Sequence, residues 1–88
     1  MLLSHFFKNA PDIEIKQLSC DSRMPMEDCI FFCVKGIKDD GHSFVKEAIN
    51  NGAKVIVYEK AIDTSAPCIY IRVNNVLDAL NQIAAKFY

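Results

Sequence analysis

The chain has 88 residues, of which 51% are hydrophobic and 24% are charged, and its formal net charge is −1. Because this composition is that of an ordinary globular domain and the length leaves room for one hydrophobic core, we expect a single domain over residues 1–88. The nearly neutral charge and the scattered Lys and Arg residues exclude a sequence-wide attraction to nucleic acid or to an anionic membrane.

The first part of the chain predicts a short helix followed by extended segments. Residues 2–8 can form about two helical turns, which end before Pro11 because proline cannot continue the hydrogen-bond ladder. Residues 13–20 are extended, and a change of parity near Gln17 indicates a bulge or a break. Residues 29–34 are a short apolar run between polar stretches, which is typical of a strand buried on both faces.

The middle of the chain predicts a β-α-β unit. Residues 44–51 carry the apolar stripe of a helix, and Gly52 stands where a C-cap glycine belongs. The same pattern turns Glu47 and Asn51 toward water. Residues 54–59 then form a second buried strand, so the order strand, helix, strand predicts a right-handed crossover.

The last part of the chain predicts one more strand and one more helix. Residues 68–73 alternate as a strand, and Asn74 or Asn75 can cap a helix whose apolar stripe runs to Tyr88. No stop signal follows that helix, so we expect the chain to be a piece of a longer protein. The elements together predict an α/β fold, a mixed β-sheet of about four strands flanked by helices.

Motifs for catalysis are missing from the sequence. It contains neither a Gly-x-x-x-x-Gly-Lys-Thr phosphate loop nor a Gly-x-Gly-x-x-Gly fingerprint. The two histidines, His5 and His42, have no evident acid partner. Cys29 and Cys33 together with His42 offer zinc-binding atoms, but their spacing matches no usual zinc pattern. We therefore expect no catalytic residue and no metal site in this chain.

Location and redox state follow from the same patterns. No apolar run reaches the ~18 residues of a membrane span, and the N-terminus lacks the features of a signal peptide. We expect a cytoplasmic protein with no nucleic-acid and no membrane partner. The sequence has four cysteines, Cys20, Cys29, Cys33 and Cys68, without any Cys-x-x-Cys pair, and all are expected to be reduced.

The turn Asp21-Ser22-Arg23 is the first candidate binding element. Charged pairs beside turns are common, so Asp21 and Arg23 are interpreted as an ion pair that stabilises the turn. For Ser22 two interpretations remain open. Its hydroxyl either bonds within the turn or contacts a ligand.

The loop from Gly36 to Gly41 is the second candidate. Glycines allow close backbone approach, so the N–H and C=O groups of this loop are suited to bind a flat polar ring. The alternative is that Gly41 only permits the turn into the following helix. His42, near the start of that helix, is a capping or packing residue in either case.

At these residues the chain resembles the N-terminal domain of Mur ligases, and most of all the MurE type, UDP-N-acetylmuramoyl-L-alanyl-D-glutamate–amino acid ligase. The resemblance rests on Asp21-Ser22-Arg23, Ile30-Phe31-Phe32-Cys33-Val34-Lys35-Gly36, Asp40-Gly41-His42-Ser43-Phe44, Ala48-Ile49-Asn50-Asn51-Gly52-Ala53 and Ala84-Ala85-Lys86-Phe87-Tyr88. The MurF type shares the Asp-Ser-Arg and Asp-Gly-His-x-Phe features, and the Ala-Ala-Lys-Phe-Tyr ending favours MurE.

The resemblance implies that this chain anchors the UDP moiety of UDP-N-acetylmuramoyl-dipeptide in an ATP-dependent ligase of peptidoglycan precursor synthesis. ATP and magnesium would bind a central domain, and the added L-lysine or meso-diaminopimelate a C-terminal domain, neither of which these residues contain. The fragment alone is then not catalytic and has no cofactor. By resemblance, Ser22 and Cys20 contact the uridine diphosphate part, and Ile37, Lys38 and Asp39 contact uracil or ribose through backbone atoms.

Two alternatives stay open at this point. The first is the N-terminal domain of a MurF-type ligase. The second is a non-enzymatic, small α/β module for regulation or interaction, in which the Asp-Ser-Arg turn is structural. A Gly-Lys-Thr phosphate loop soon after Tyr88 in the parent reading frame would favour a ligase over the module.

Overall fold

The computed structural model describes residues 1–36 and 39–88, and its centre is a four-stranded β-sheet. The strands, in chain order and in spatial order, are β1 (Gln17–Ser19), β2 (Cys29–Phe32), β3 (Val55–Tyr58) and β4 (Ile69–Arg72). The α-helices of the described residues are α1 (Val45–Asn50) and α2 (Val76–Phe87), and short 3-10 helices span Leu3–His5 and Gly41–Phe44. The predicted α/β class is confirmed.

All neighbouring strands are parallel, so the prediction of a mixed sheet is wrong. Parallel neighbours require a crossover between them, and residues 20–28 make the first crossover without a helix. Asn51 at the end of α1 binds this segment twice: its side-chain amide donates to the Ser22 carbonyl, and its carbonyl accepts from the Met26 N–H at 2.9 Å. The sequence patterns of the strands did not indicate that all of them run parallel.

The sheet is buried on both faces, and β2 is buried along its whole length. Ile30 and Phe32 belong to the core beneath α2 and the N-terminal segment. Cys29 and Phe31 belong to the opposite core, beneath α1. The alternation of a strand thus divides the hydrophobic residues between two layers.

The crossovers lie on one face of the sheet. Consecutive strands of this chain are neighbours in the sheet. When all the crossovers between such strands have the same hand, every connection lies on the same face of the sheet. Met26, Ala48 and Ile62, each from a different connection, accordingly pack in the same core. The opposite face is covered by α2 and the N-terminal segment, and the carboxyl ends of the strands remain at one open edge.

The predicted N-terminal helix is shorter in the structure, where only Leu3–His5 forms a 3-10 turn. The Leu3 N–H donates to the Ile13 carbonyl at 2.8 Å, and Leu2 and Glu14 form an antiparallel bridge. Because the backbone of this segment pairs with residues 13–15, it cannot also form a second helical turn. Leu3 itself is fully buried, as its apolar position predicts.

The predicted helix ends are confirmed. Gly52 ends α1 with a φ of +106°, a conformation that favours glycine. Asn75 caps α2, because its side-chain oxygen accepts from the Asp78 N–H at 2.9 Å. Within the described ranges, neither α-helix combines the length and apolar character that crossing a bilayer requires.

Candidate functional site

An open cavity of about 530 Å³ lies beyond the carboxyl ends of β1 and β2. Its walls are residues 20–23, part of the loop between Val34 and Gly41, and the side chains of Phe44 and Glu47. In open parallel sheets ligands bind outside the carboxyl ends of the strands. Both candidate elements of the sequence, the Asp-Ser-Arg turn and the glycine-flanked loop, therefore meet at one site.

The structure brings three of the five predicted site residues together. Cys20, Ser22 and Asp39 all line the cavity. Ile37 and Lys38 lie outside the described residues. Contact of any of the five with a ligand stays a prediction.

Ser22 is 5% exposed and takes part in the packing of the turn. Its Oγ lies 2.6 Å from Glu47 Oε1, and because an ionised carboxylate can only accept, the hydroxyl donates. Its carbonyl accepts from the side chain of Asn51. Ser22 therefore fixes the turn to α1 and also lines the cavity, and its contact with a ligand stays a prediction.

Asp21 and Arg23 form the ion pair that the sequence predicted. Asp21 accepts from Arg23 Nε at 3.0 Å, from Nη2 at 3.1 Å and from the backbone N–H at 3.0 Å. These hydrogen bonds lower the pKa of the Asp21 carboxyl. The Arg23 side chain is 82% exposed, so water screens the pair, which contributes little to stability and mainly shapes the turn.

The loop after β2 closes on itself at both glycines. The Gly36 N–H donates to the Asp39 carbonyl at 2.7 Å, and the Gly41 N–H donates to the Val34 carbonyl at 2.9 Å. A Cβ at Gly41 would lie only 2.8 Å from the Val34 nitrogen. The loop base therefore requires glycine at position 41, because a larger residue would collide with backbone.

His42 has an acid partner, so the expectation that neither histidine has one is wrong for this residue. Its Nδ1 lies 2.6 Å from Asp40 Oδ1, and its Nε2 accepts from the N–H groups of Glu59 at 3.0 Å and Lys60 at 3.2 Å. Because Nε2 accepts, the ring proton is on Nδ1 and donates to Asp40. Hydrogen bonds from Lys60 and then His42 hold the pKa of the Asp40 carboxyl well below its usual range.

The sequence analysis turned Glu47 and Asn51 toward water, and both are exposed in the structure, but it did not predict that they bond Ser22. They stand four positions apart on one side of a helix, and both bond Ser22 across a separation of 25 and 29 residues. The only sequence signal is the position of a carboxylate and an amide on the side of the helix next to the predicted turn. Pattern analysis cannot detect such a pair without knowing how the helix packs.

Neither a metal site nor a phosphate loop is found among the described residues. The described part of the chain has no group of three His, Cys, Asp or Glu side chains that would hold a metal ion. Burial raises the pKa of the Cys29 thiol to about 11 and that of Cys33 to about 12, which disfavours the thiolate that zinc requires. No phosphate loop occurs in the sequence. None of the four cysteines is paired in a disulfide.

Comparison with known proteins gives consistent matches. A family model described as "Mur ligase family, catalytic domain" matches residues 14–88. A UDP-N-acetylmuramoyl-L-alanyl-D-glutamate--2,6-diaminopimelate ligase of Halalkalibacterium halodurans is 37% identical over 75 residues, covering 85% of this chain and 15% of the relative. The ligase of the same name from Geobacter sulfurreducens is 42% identical over 77 residues, again covering 85% and 15%.

Solved structures give the same picture of the fold. MurF from Acinetobacter baumannii superimposes with a TM-score of 0.74 at 35% identity, covering 85% of this chain and 16% of that one. MurF ligase from Thermotoga maritima in complex with ADP superimposes with a TM-score of 0.70 at 31% identity, and the match covers 81% of this chain and 16% of that one. The chain thus spans less than a fifth of the length of the relatives it matches.

Proposed function

The chain belongs to the Mur ligase family, and we propose that it holds the UDP moiety of UDP-N-acetylmuramoyl-dipeptide for an ATP-dependent amino acid ligase of peptidoglycan precursor synthesis. The cavity beyond β1 and β2 carries this proposal, because Cys20, Ser22 and Asp39 share it. The parent enzyme adds L-lysine or meso-diaminopimelate and works in the cytoplasm. Residues 1–88 form its UDP-binding domain.

The physical role of such a domain is to grip the substrate far from the reacting bond. Binding energy from a remote nucleotide orients the substrate and supports chemistry elsewhere. A cavity for this purpose needs a fixed shape and correctly placed hydrogen-bonding groups, and it needs no nucleophile. The tight loop base at Gly41 and the turn bonded to α1 through Ser22 meet that requirement.

ATP and magnesium belong to the reaction of the full enzyme, where they activate the carboxyl group that the amino acid attacks. No residue described in this chain is assigned to either of them, since neither a phosphate loop nor a group of metal ligands is found. The domain contributes substrate binding to that reaction.

The MurF type is the second candidate, because the solved structures named above are MurF ligases. The names of the curated relatives favour the diaminopimelate-adding, MurE type. Both candidates assign the same role to the cavity. An assay of the full-length enzyme distinguishes them, with diaminopimelate and D-alanyl-D-alanine each offered as the substrate to be added.

Titration of the ¹⁵N-labelled chain with UDP tests the proposed function. We expect weak, millimolar-range binding, of about 4 kcal/mol, because the chain covers only part of the substrate. Amide shifts should be largest at Cys20, Ser22 and Asp39. Shifts confined to the opposite edge of the sheet, or no shifts at all, would overturn the proposal and favour a non-enzymatic module.

Cys20 gives an independent chemical readout of the same site. It is exposed and lines the cavity, whereas Cys29 and Cys33 are buried and have raised pKa values. Iodoacetamide at pH 8 should therefore modify Cys20 first, and UDP should slow this modification. The Cys20→Ser variant is the control, since it should lack the fast phase. A fast phase that saturating UDP leaves unchanged would count against the site.

A further inference from the structure

The hydrogen bond between Ser22 and Glu47 has a defined direction. The two oxygens are 2.6 Å apart, and a carboxylate offers no proton, so the Ser22 proton lies toward Glu47. The serine oxygen then keeps only its lone pairs for any other partner. At this point of the cavity wall, Ser22 is an acceptor.

The surrounding contacts keep Ser22 in this orientation. Asn51 donates to its carbonyl, and the residue is 5% exposed. Rotating the hydroxyl toward a ligand would break a charge-assisted hydrogen bond, which is worth about tenfold or more in an equilibrium constant. The proton therefore stays on the Glu47 side unless a ligand compensates for that loss.

The charges around Ser22 also favour a ligand group that donates a hydrogen bond and carries no negative charge. Of the charged residues described in the cavity wall, Asp21 and Arg23 neutralise each other, and Asp39 and Glu47 are both acidic. A diphosphate oxygen is also anionic and accepts hydrogen bonds only, so this end of the cavity disfavours it. A neutral N–H or O–H group is favoured, because it donates to Ser22 without a charge conflict.

We propose that Glu47 is a positioning residue that fixes Ser22 as an acceptor, so that Ser22 selects a neutral hydrogen-bond donor of the uridine moiety and excludes the diphosphate. The donor is the 2′-hydroxyl of the ribose or the imide N–H of uracil. The inference rests on the proposed function, which it deepens by assigning the nucleoside end of the substrate to Ser22 and a specificity role to Glu47.

A double-mutant cycle tests the pair without any ligand. Ser22→Ala, Glu47→Ala and the double variant are compared with the wild type in urea unfolding. We expect the two single changes to be non-additive by about tenfold in the unfolding equilibrium constant. Glu27→Ala is the matched control, because Glu27 is an exposed glutamate outside the cavity. Additive effects of Ser22→Ala and Glu47→Ala would overturn the inference.

Binding of four ligands tests the selection. UDP, 2′-deoxyuridine diphosphate, 3-methyluridine diphosphate and pyrophosphate are titrated against the chain, and the amide of Ser22 is followed. The wild type should bind one of the two modified nucleotides about tenfold more weakly than UDP, since that compound lacks the donor. Weaker binding of the 2′-deoxy compound identifies the ribose hydroxyl as the donor to Ser22, and weaker binding of the 3-methyl compound identifies the uracil N–H. Pyrophosphate should leave the Ser22 amide unshifted.

The same ligands with Glu47 variants separate positioning from general stability. In Glu47→Ala the Ser22 proton is released, so the preference for UDP over the weakened analogue should fall toward onefold. Glu47→Gln retains an acceptor and should retain part of the preference, and Glu27→Ala should retain all of it. If Glu47→Ala weakens every nucleotide equally, Glu47 is only structural and the inference fails while the proposed function stands.

Failure of the proposed function gives a different result. In that case Ser22 and Glu47 still couple in the unfolding cycle, but no uridine compound shifts the residues of the cavity. The assignment of a nucleoside to Ser22 then falls together with the proposed function. A Ser22 amide shifted by pyrophosphate as strongly as by UDP overturns the inference alone.

Discussion

After β1, Asp21 pairs with an Arg23 side chain that is 82% exposed, whereas after β2, Asp40 contacts a His42 side chain that is only 7% exposed. Both turns place an aspartate two residues before its basic partner, at neighbouring strand ends. The first pair lies in solvent and is satisfied within one turn. The second also binds the backbone of Glu59 and Lys60 after β3. Similar residue types therefore stabilise only a local turn after β1 but cross-link two loops after β2. The difference in burial between Arg23 and His42 accounts for these two outcomes.

The strongest way to break the loop after β2 is to fill the space at its base. In Gly41→Ala, the new Cβ would lie 2.8 Å from the Val34 nitrogen and 3.0 Å from the Cys33 backbone, so the loop must move. We expect a loss of about 2–3 kcal/mol in the free energy of unfolding. Urea unfolding measures it. Gly36→Ala is the comparison and should cost less, because its Cβ would meet a single backbone atom, the Asp39 carbonyl oxygen at 3.0 Å. Equal losses in both variants would contradict this explanation.

Removing the cross-link itself should cost nearly as much. His42→Ala leaves the N–H groups of Glu59 and Lys60 without their acceptor, and we expect a loss of about 2 kcal/mol. Thermal unfolding followed by circular dichroism measures the change. His5→Ala is the matched control, since His5 is exposed and should change stability by less than ~0.5 kcal/mol. A loss no larger in His42→Ala than in His5→Ala would show that the cross-link does not stabilise the fold.

Acid should weaken the same cross-link. Lys60 and His42 lower the pKa of Asp40 below its ordinary value of 3.8, so its stabilising effect is complete above that value and is lost as the pH falls toward the folded-state pKa. The difference in unfolding free energy between wild type and Asp40→Asn should therefore be constant near neutral pH and shrink below pH 3.8. Urea unfolding from pH 7 to pH 3 measures it, and a difference that grows on acidification would contradict the assignment.

The exposed pair after β1 should show the smallest effect. Arg23→Ala removes two hydrogen bonds to Asp21 at the surface, where water screens the pair, and we expect almost no change in the midpoint of urea unfolding. Added salt should reduce even this difference. The measurement is a urea titration at low and high ionic strength. A loss comparable to that of His42→Ala would remove the contrast between the two turns.

The elements of the fold could be predicted because their causes are local. The apolar run of β2, the glycine that ends α1 and the asparagine that caps α2 each carry their signal within a few residues. The direction of β1 could not be predicted, since this strand has three residues and its crossover to β2 contains no helix. That crossover depends on Asn51, which lies far along the chain from the residues it binds.

The candidate site divides in the same way. The sequence placed Ser22 and Asp39 in two candidate loops, the family resemblance added Cys20, and the parallel sheet brings the three residues together. The partners of those loops were missed. Glu47 bonds Ser22 across 25 residues, and His42 bonds the backbone after β3 across 17 and 18 residues. Such contacts are set by how the helix and the strands pack, and no short motif records them.

Because Cys29 and Cys33 are buried in and next to β2, the rate of their alkylation reports how often the molecule unfolds. Both side chains are 0% exposed, so a thiol reagent reaches them only in molecules whose central strand has come apart. Cys20 reacts without opening. In a Cys68→Ser variant, which removes the half-buried fourth thiol, one labelling time course therefore records occupancy of the cavity in its fast phase and global unfolding in its slow phase. A ligand that binds only the folded chain must retard the slow phase by a factor of 1 + [L]/Kd.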